Sequence, residues 1–301
     1  MQNEGISVEN KRIIPESELV LNPDGSLYHI KLKGDHIADN VIVVGDQERV
    51  ERISRHFDNI EFQVQNREFT THTGTFNGKR ITVISSGIGT DNIDIVLNEL
   101  DAAVNIDLQN RQVKDKLKSL NIIRIGTSGA LQQDIPVDSF VVSEFGMGLD
   151  TTMYYYDYPA SEEEKLLAEN FIQQTGWPAK TPPPYFVSGN NELIEKIGIG
   201  MRKGITATAP GFYGSQGREL RLAPFMPDLN EKLTGFNFNG HHITNFEMET
   251  SALYGLSSML GHRCCTVCAI IANRLAKQFS KNYKKTVDEL ITTVLERIAT
   301  L

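Results

Sequence analysis

The groups in this chain able to do chemistry are guanidiniums, carboxylates and one amide, and they stand at the ends of short apolar runs. Glu247 and Glu249 lie one methionine apart in NFEMETSA (245–252). Arg124 sits between isoleucines in NIIRIGTSGA (121–130). A buried guanidinium without a partner is costly, so Arg124 must meet a carboxylate or a bound anion. The bend expected at Gly126, Thr127, Ser128 and Gly129 offers hydroxyls and accessible N–H groups that suit phosphate oxygens; a salt bridge to an acidic neighbour would satisfy the arginine equally. In VIVVGDQERV (41–50) a strand ends at Gly45, Asp46 suits a helix N-cap and Arg49 falls in the first turn, a pattern that favours an anion at a helix N-terminus. A tight turn with a solvated arginine has the same sequence. No second or third glycine follows, so neither the dinucleotide fingerprint nor the P-loop is present. SSGIGTDN (85–92) is another glycine-rich strand exit, which chain reversal alone would explain. In APGFYGSQGRELR (209–221), Gln216 and Arg218 offer donors and an acceptor to the edge of a flat heterocycle and Phe212 a face to stack on, although a loop with a surface arginine reads no differently.

The elements that must hold these groups alternate. Short β-branched runs predict strands at 41–44, 80–86, 121–125, 139–143, 204–209, 242–247 and 264–271. Helical periodicity predicts helices at about 47–57, 91–104, 111–119, 161–175, 190–200, 248–260 and 284–298. The expected fold is therefore α/β, a mainly parallel sheet covered by helices, with ligands gathering beyond the carboxyl ends of the strands. No repeat or low-complexity linker interrupts it, and KTPPPY (180–185) reads as a stiff surface connection.

Bulk properties narrow the function classes. Thirty Lys and Arg against 38 Asp and Glu give a formal charge of −8. With the basic residues scattered, no nucleic-acid or anionic-membrane surface is expected. The N-terminus lacks an apolar signal region and the longest apolar run, Val267 to Ala272, is too short for a bilayer, so a cytoplasmic protein is expected. Cys264, Cys265 and Cys268 share one apolar run; they read as buried strand cysteines rather than as a redox pair or half a zinc site.

Together VGDQERV, REFTTHTG, SSGIGT, IRIGTSGA, FYGSQGRE, FEMET and IIANR resemble, in order over roughly residues 38–298, the nucleoside phosphorylases of the type-I fold, and within them those acting on uridine. The resemblance implies a single three-layer α/β/α domain at 38–301 with a mixed, mainly parallel central sheet, preceded by a segment, 1–37, contributing to a subunit interface. It implies reversible phosphorolysis of uridine, or of other pyrimidine nucleosides, to the free base and ribose 1-phosphate, with inorganic phosphate as co-substrate and neither cofactor nor metal. By that resemblance Gly45, Arg49, Arg124 and Thr127 bind phosphate, and Arg67 of NREFTT is lent by a neighbouring subunit. Glu249 accepts hydrogen bonds from the ribose 2′- and 3′-hydroxyls, Met248 packs on the sugar, Thr127 also lies beside it, and His29 reaches the 5′-hydroxyl across a dimer interface. Gln216 and Arg218 read the uracil edge, Phe212 stacks nearby, Ser128, Gly129 and Ile271 line the pocket, and Arg274 lies near O4. Glu247 is left with a supporting or capping role beside that of a ligand. The implied assembly is a homo-oligomer, dimer or hexamer, with shared active sites. A purine nucleoside phosphorylase, a water-using nucleosidase and a catalytically silent nucleoside-binding module are the competing readings. No aspartate follows IIANR to protonate a purine, and a nucleosidase would not need the three arginines at 49, 67 and 124.

Four departures from the family pattern stand out. The segment 107–120 is longer than the family's connection, and MYYYDYP (153–159) has no counterpart. Asn92 occupies the place of a cation-binding serine, and Gly217 that of a glutamate, which would relax selectivity among uridine, thymidine and deoxyuridine.

Overall fold

The run at 41–44 is apolar throughout because it is covered on both sides. Val41 and Val43 face one buried cluster, while Ile42 and Val44 face another, as the two-residue period of a strand requires. A computed structural model describes residues 12–301 and places this strand, β1 (Asn40–Val44), near the middle of a mixed sheet. It is followed by α1 (Gln47–Ser54), β2 (Asn59–Asn66), β3 (Phe69–Phe76), β4 (Lys79–Ser85), α2 (Thr90–Asn105) and the two-residue strands β5 (Ile106–Asp107) and β6 (Gln112–Val113). Next come β7 (Asn121–Ala130), β8 (Phe140–Gly148), α3 (Glu162–Thr175), β9 (Tyr185–Ser188), α4 (Asn191–Ile197), β10 (Arg202–Thr208) and α5 (Leu229–Gly235). The chain closes with β11 (Asn237–Phe238), β12 (His241–Glu247), α6 (Thr250–Met259), β13 (Arg263–Asn273), β14 (Gln278–Phe279) and α7 (Tyr283–Ala299).

The sheet runs β11-β12-β10-β8-β13-β7-β1-β4-β3-β2. Helices α2 and α6 pack on the face of Val41 and Val43, and α1, α4 and α7 on the face of Ile42 and Val44, which gives the expected three layers. Helices α3 and α5 enclose a further apolar cluster beside them. Each fully buried aliphatic side chain in these clusters contributes about 1.5–3 kcal/mol. The strand order also closes on itself: β12 pairs antiparallel with the end of β7, Asn245 opposite Ala130 and Phe246 opposite Gly129. Strands β7, β13, β8, β10 and β12 thus form a complete circuit of pairings.

Three expectations need correction. No helix forms at 111–119; the Asp107 side chain accepts the N–H groups of Gln109 and Asn110, an Asx turn that starts the β5–β6 hairpin instead. Gly126 to Gly129 are not a bend but the second half of β7, which continues to Ala130 because β13 and β12 supply its partners there. Strands β2, β3 and β9 and helix α5 lie outside the predicted elements, β2 having at most half-buried residues along an edge.

The segments 107–120 and 153–159 tie other elements of the domain together. Arg111, from the β5–β6 hairpin, donates to the carbonyls of Ile14, Pro15 and Leu19, and so clamps the chain ahead of β1 to the domain. In 153–159, Tyr154 donates to Pro183, Tyr156 to Asp94 of α2 and Tyr158 to Glu164 of α3, each ring tying down a different element. All three cysteines are buried and free in β13, and burial pushes the Cys264 and Cys268 thiols up to about 12.

Candidate active site

The strand exits converge on a cleft of about 1050 Å3. Register explains the convergence: Arg124 of β7 lies opposite Val43 of β1 and Thr266 of β13, so its side chain emerges one residue short of the end of β1. Gly126 makes room for it, because a Cβ there would sit 3.3 Å from Arg124 Nε and 2.7 Å from Cys268 Sγ. The cleft is lined at one end by Gly45, Arg49, Arg124 and Thr127, at its middle by Met248 and Glu249, and at the other end by Ser128, Gly129, Phe212, Gln216, Arg218 and Ile271. Every position expected to serve the chain's own site, apart from Arg274, is therefore on one surface.

Charge at the first end is concentrated and buried. Arg124 Nε donates to Glu247 Oε2 at 3.2 Å, and Arg124 Nη2 donates to Glu249 Oε2. Glu247 does most of its work on the backbone: it accepts the N–H of Glu249 at 2.9 Å, the N–H of Thr250 at 3.0 Å and the hydroxyl of Thr208 at 2.8 Å. That makes it a cap at the start of α6, whereas Glu249 accepts the Gly89 N–H at 2.8 Å. The glycine-rich exit of β4 is thus more than a reversal. Gly87 and Ile88 line the cleft, and Gly87, at φ 74°, packs against Asn92, whose amide would lie 2.5 Å from a Cβ there.

Two guanidiniums share this end. Burial lowers Arg49 below the ordinary arginine value, and the charge of Arg124 lowers it further. Burial acts on Arg124 in the same sense, but the carboxylates of Glu249 and Glu247 outweigh it and raise Arg124. Burial raises Glu249 above the ordinary carboxylate value, with Arg124 and the Gly89 N–H opposing. Arg49 Nη1 donates to the Ile125 carbonyl at 3.1 Å, whereas Arg49 Nε and Arg124 Nη1 are buried without a partner. Buried charged donors left unpaired in this way mark a place for an anion.

At the far end the loop between β10 and α5 holds Phe212, Gln216 and Arg218 together. The buried Gln216 amide donates to the Gly211 carbonyl at 3.1 Å and its Oε1 accepts from Arg218, whose guanidinium lies 3.8 Å from the centre of the Phe212 ring. Arg218 Nη1 also donates to the Phe212 carbonyl at 2.6 Å, so the stacked guanidinium is held in one plane. Burial lowers the pKa of Arg218.

His29, Arg67 and Arg274 are not brought into this cleft. His29 Nδ1 pairs with Glu99 at 2.5 Å, and the backbone N–H groups of His29 and Ile30 grip the same carboxylate. The exposed Arg67 stands over Tyr28 at 5.5 Å, and Asn66 donates to the His29 carbonyl at 2.7 Å, so His29 and Arg67 share one patch. Arg274 donates to the Gln216 and Gly217 carbonyls. Glu68 and Phe279 line the cleft without having been singled out. Glu68 directly follows the REFTT arginine, a cue available in the sequence; Phe279 arrives on the small strand β14, which carries no pattern of its own.

The model of the phosphorylase superfamily matches residues 39–300. A uridine phosphorylase of Thermococcus kodakarensis is 31% identical over 265 residues, 87% of this chain and 83% of that protein. A DeoD-type purine nucleoside phosphorylase of Bacillus cereus is 28% identical, covering 89% of this chain and 97% of that protein. Among solved structures, a Trypanosoma brucei nucleoside phosphorylase described as showing uridine phosphorylase activity superposes with a TM-score of 0.85 at 31% identity, over 94% of this chain and all of that one.

Proposed function

The chain belongs to the phosphorylase superfamily, and from that premise we propose its reaction: reversible phosphorolysis of uridine to uracil and ribose 1-phosphate. The observation that carries the reading is the pair of buried, unpartnered guanidinium donors on Arg49 and Arg124 beside Glu249, with Gln216 and Arg218 across the same cleft. Phosphate sits against the two arginines and the turn at Gly45. Glu249 grips the ribose 2′- and 3′-hydroxyls, and Met248 packs on the ring. As the C1′–N1 bond lengthens, the sugar gains oxocarbenium character and its bonding pair moves onto uracil. A phosphate oxygen bonds to C1′, Gln216 and Arg218 stabilise the departing anion, and solvent later protonates it. No covalent enzyme intermediate is required.

Arg49 and Arg124 are balanced by Glu247 and Glu249, so an arriving phosphate needs a further cation. Arg67, exposed on a patch with His29, supplies it to a neighbouring subunit's site in this reading, which makes the protein a homo-oligomer with shared sites. A cytoplasmic compartment belongs to the same reading. The test is release of free base from uridine, thymidine and inosine with and without phosphate. Uracil appearing only with phosphate supports the proposal. Hypoxanthine appearing instead would establish a purine enzyme, and base released without phosphate a nucleosidase.

A further inference from the structure

The loop that presents Gln216 and Arg218 is folded on itself, with the main-chain N–H groups of Gln216 and Arg218 donating to the Tyr213 carbonyl and their side chains to those of Gly211 and Phe212. Between β10 and α5 it contains one short 3-10 turn, Gly214–Gln216, and Leu220, Leu222 and Phe225 along it are exposed rather than packed into a core. What ties this self-contained turn to the sheet at Gln216 and Gly217 is the end of β13. Asn273 is buried there, donating to the carbonyls of Gln132 at 2.9 Å and Ile135 at 2.7 Å and accepting the Ala276 N–H at 2.9 Å, so the strand end is fixed on three sides. From this anchor the next residue, Arg274, donates its main-chain N–H to the Ala130 carbonyl at 3.2 Å. Its guanidinium reaches the carbonyls of Gln216, through Nη1, and Gly217, through Nη2 at 3.5 Å. Gly217 is left-handed, φ 63°, and a Cβ there would sit 2.8 Å from Asn230 Nδ2, so glycine lets the turn that Arg274 holds pack against α5. Among the described residues no carboxylate pairs with Arg274.

We propose that Arg274 is a positioning residue that clasps the Gln216–Arg218 loop to the end of β13, and that it does not itself read the base. The clasp rests on the reading of Gln216 and Arg218 as the groups that meet uracil. A guanidinium is suited to it because its rigid fork reaches two successive carbonyls at once, which an ammonium cannot do with the same geometry. Placement matters at this end of the site, since a misplacement of about 1 Å can cost on the order of 100-fold in rate.

The experiment compares Arg274→Met and Arg274→Lys, each made in the otherwise unaltered protein and in an Arg218→Ala background. Two readouts are taken: kcat/KM for uridine at saturating phosphate, and the rate of tryptic cleavage after Arg221 in the folded protein. With the clasp, Arg274→Met lowers kcat/KM by about 10- to 100-fold and accelerates cleavage after Arg221, while KM for phosphate and the Tm hold. In the Arg218→Ala background its kinetic cost shrinks severalfold, because the group being positioned is gone. Arg274→Lys shows the same pattern at smaller amplitude and serves alone if Arg274→Met does not fold. An equal kinetic cost in both backgrounds, or an unchanged cleavage rate, overturns the clasp; so does Arg274→Lys with unaltered kinetics and cleavage, because charge alone would then suffice. Protein that clips faster after Arg221 in the variant, yet releases no uracil from uridine before substitution, would refute the uridine reading and leave the clasp standing.

Discussion

Replacing Glu249 with glutamine tests the sugar grip through a difference between two substrates. A carboxylate has about four lone-pair positions. Oε1 spends one on the Gly89 N–H and Oε2 one on Arg124, so one remains on each oxygen, enough for two hydroxyls. Glutamine preserves the shape but turns one of those oxygens into a donor and removes the charge from the other. Hydrogen bonds to charged groups contribute about 1.5–3 kcal/mol against about 0.5–1.5 for neutral ones, so each hydroxyl contact loses roughly 1.5 kcal/mol. Uridine, with two contacts, should lose about 100-fold in kcat/KM, and 2′-deoxyuridine, with one, about 10-fold, since about 1.4 kcal/mol is a factor of ten. The acid limb of the pH profile gives a second handle. Burial raises the Glu249 pKa above the ordinary carboxylate value, so the ionised form, which alone accepts from both hydroxyls, is lost as pH falls through that raised value. The limb should therefore lie above the usual carboxylate range and vanish in Glu249→Gln. Steady-state phosphorolysis of both nucleosides from pH 4.5 to 8, with Tm as control, measures all of this. Equal losses on the two substrates would show that the carboxylate does not hold the 2′-hydroxyl.

Other outcomes follow from the same geometry. Arg124→Met leaves Glu247 and Glu249 buried without their cation and should cost about 3–5 kcal/mol of stability. With the opposing charge gone, Glu249 keeps its proton to higher pH in the folded protein than in the unfolded chain, so the deficit in urea midpoint should be smaller at pH 5 than at pH 8; a deficit independent of pH would contradict this. Arg218→Ala should lower kcat/KM for uridine by about 2.7–4 kcal/mol of barrier without changing KM for phosphate, and near-normal turnover would remove Arg218 from the mechanism. Phosphate at 100 times its Kd should stabilise the protein by about 2.7 kcal/mol, seen as a rise in Tm that Arg49→Met abolishes; a rise surviving the substitution would place the anion elsewhere. Co-expressed Arg67→Ala and Arg218→Ala chains, each nearly inactive alone, should recover activity in the mixed oligomer, because one site then has an intact Arg218 and a neighbour's Arg67. Failure to recover activity in isolated mixed oligomers would put Arg67 outside the shared site.

Several residues lining the cleft stood out in the sequence because they break the pattern of the element that carries them. An arginine amid isoleucines is costly unless a partner offsets it, a glycine where a strand enters a helix and a carboxylate pair at a helix start are unusual enough to notice, and Arg124, Gly45 and Glu249 do lie on one cleft. The central strands were legible for the opposite reason: Val41 to Val44 fit one pattern without exception. What escaped was non-local. Nothing in the run IGTSGA says that β7 continues past Arg124, because its partners there, β12 and β13, lie more than a hundred residues away. The 111–119 stretch has helical composition, yet a single Asx turn at Asp107 decides it.

The charge balance of the cleft connects these levels. Sequence alone left Arg124 two ways to be satisfied, by a carboxylate or by an anion, and the structure uses the first without closing the second. Nε and Nη2 are taken by Glu247 and Glu249, while Nη1 stays buried and unpaired. Glu247 is committed to the backbone of α6, so it stays when substrate arrives, whereas Glu249 has acceptor positions left for a sugar. An anion entering this site therefore meets a neutral set of two cations and two carboxylates, with spare donors aimed at it but no spare charge. Donors alone orient phosphate; holding a dianion out of water also requires net positive potential. By its own residues the cleft is thus one cation short for a phosphate, and on the proposed reading the exposed Arg67, next in sequence to the Asn66 that donates to the His29 carbonyl, is the cation a neighbouring subunit would supply.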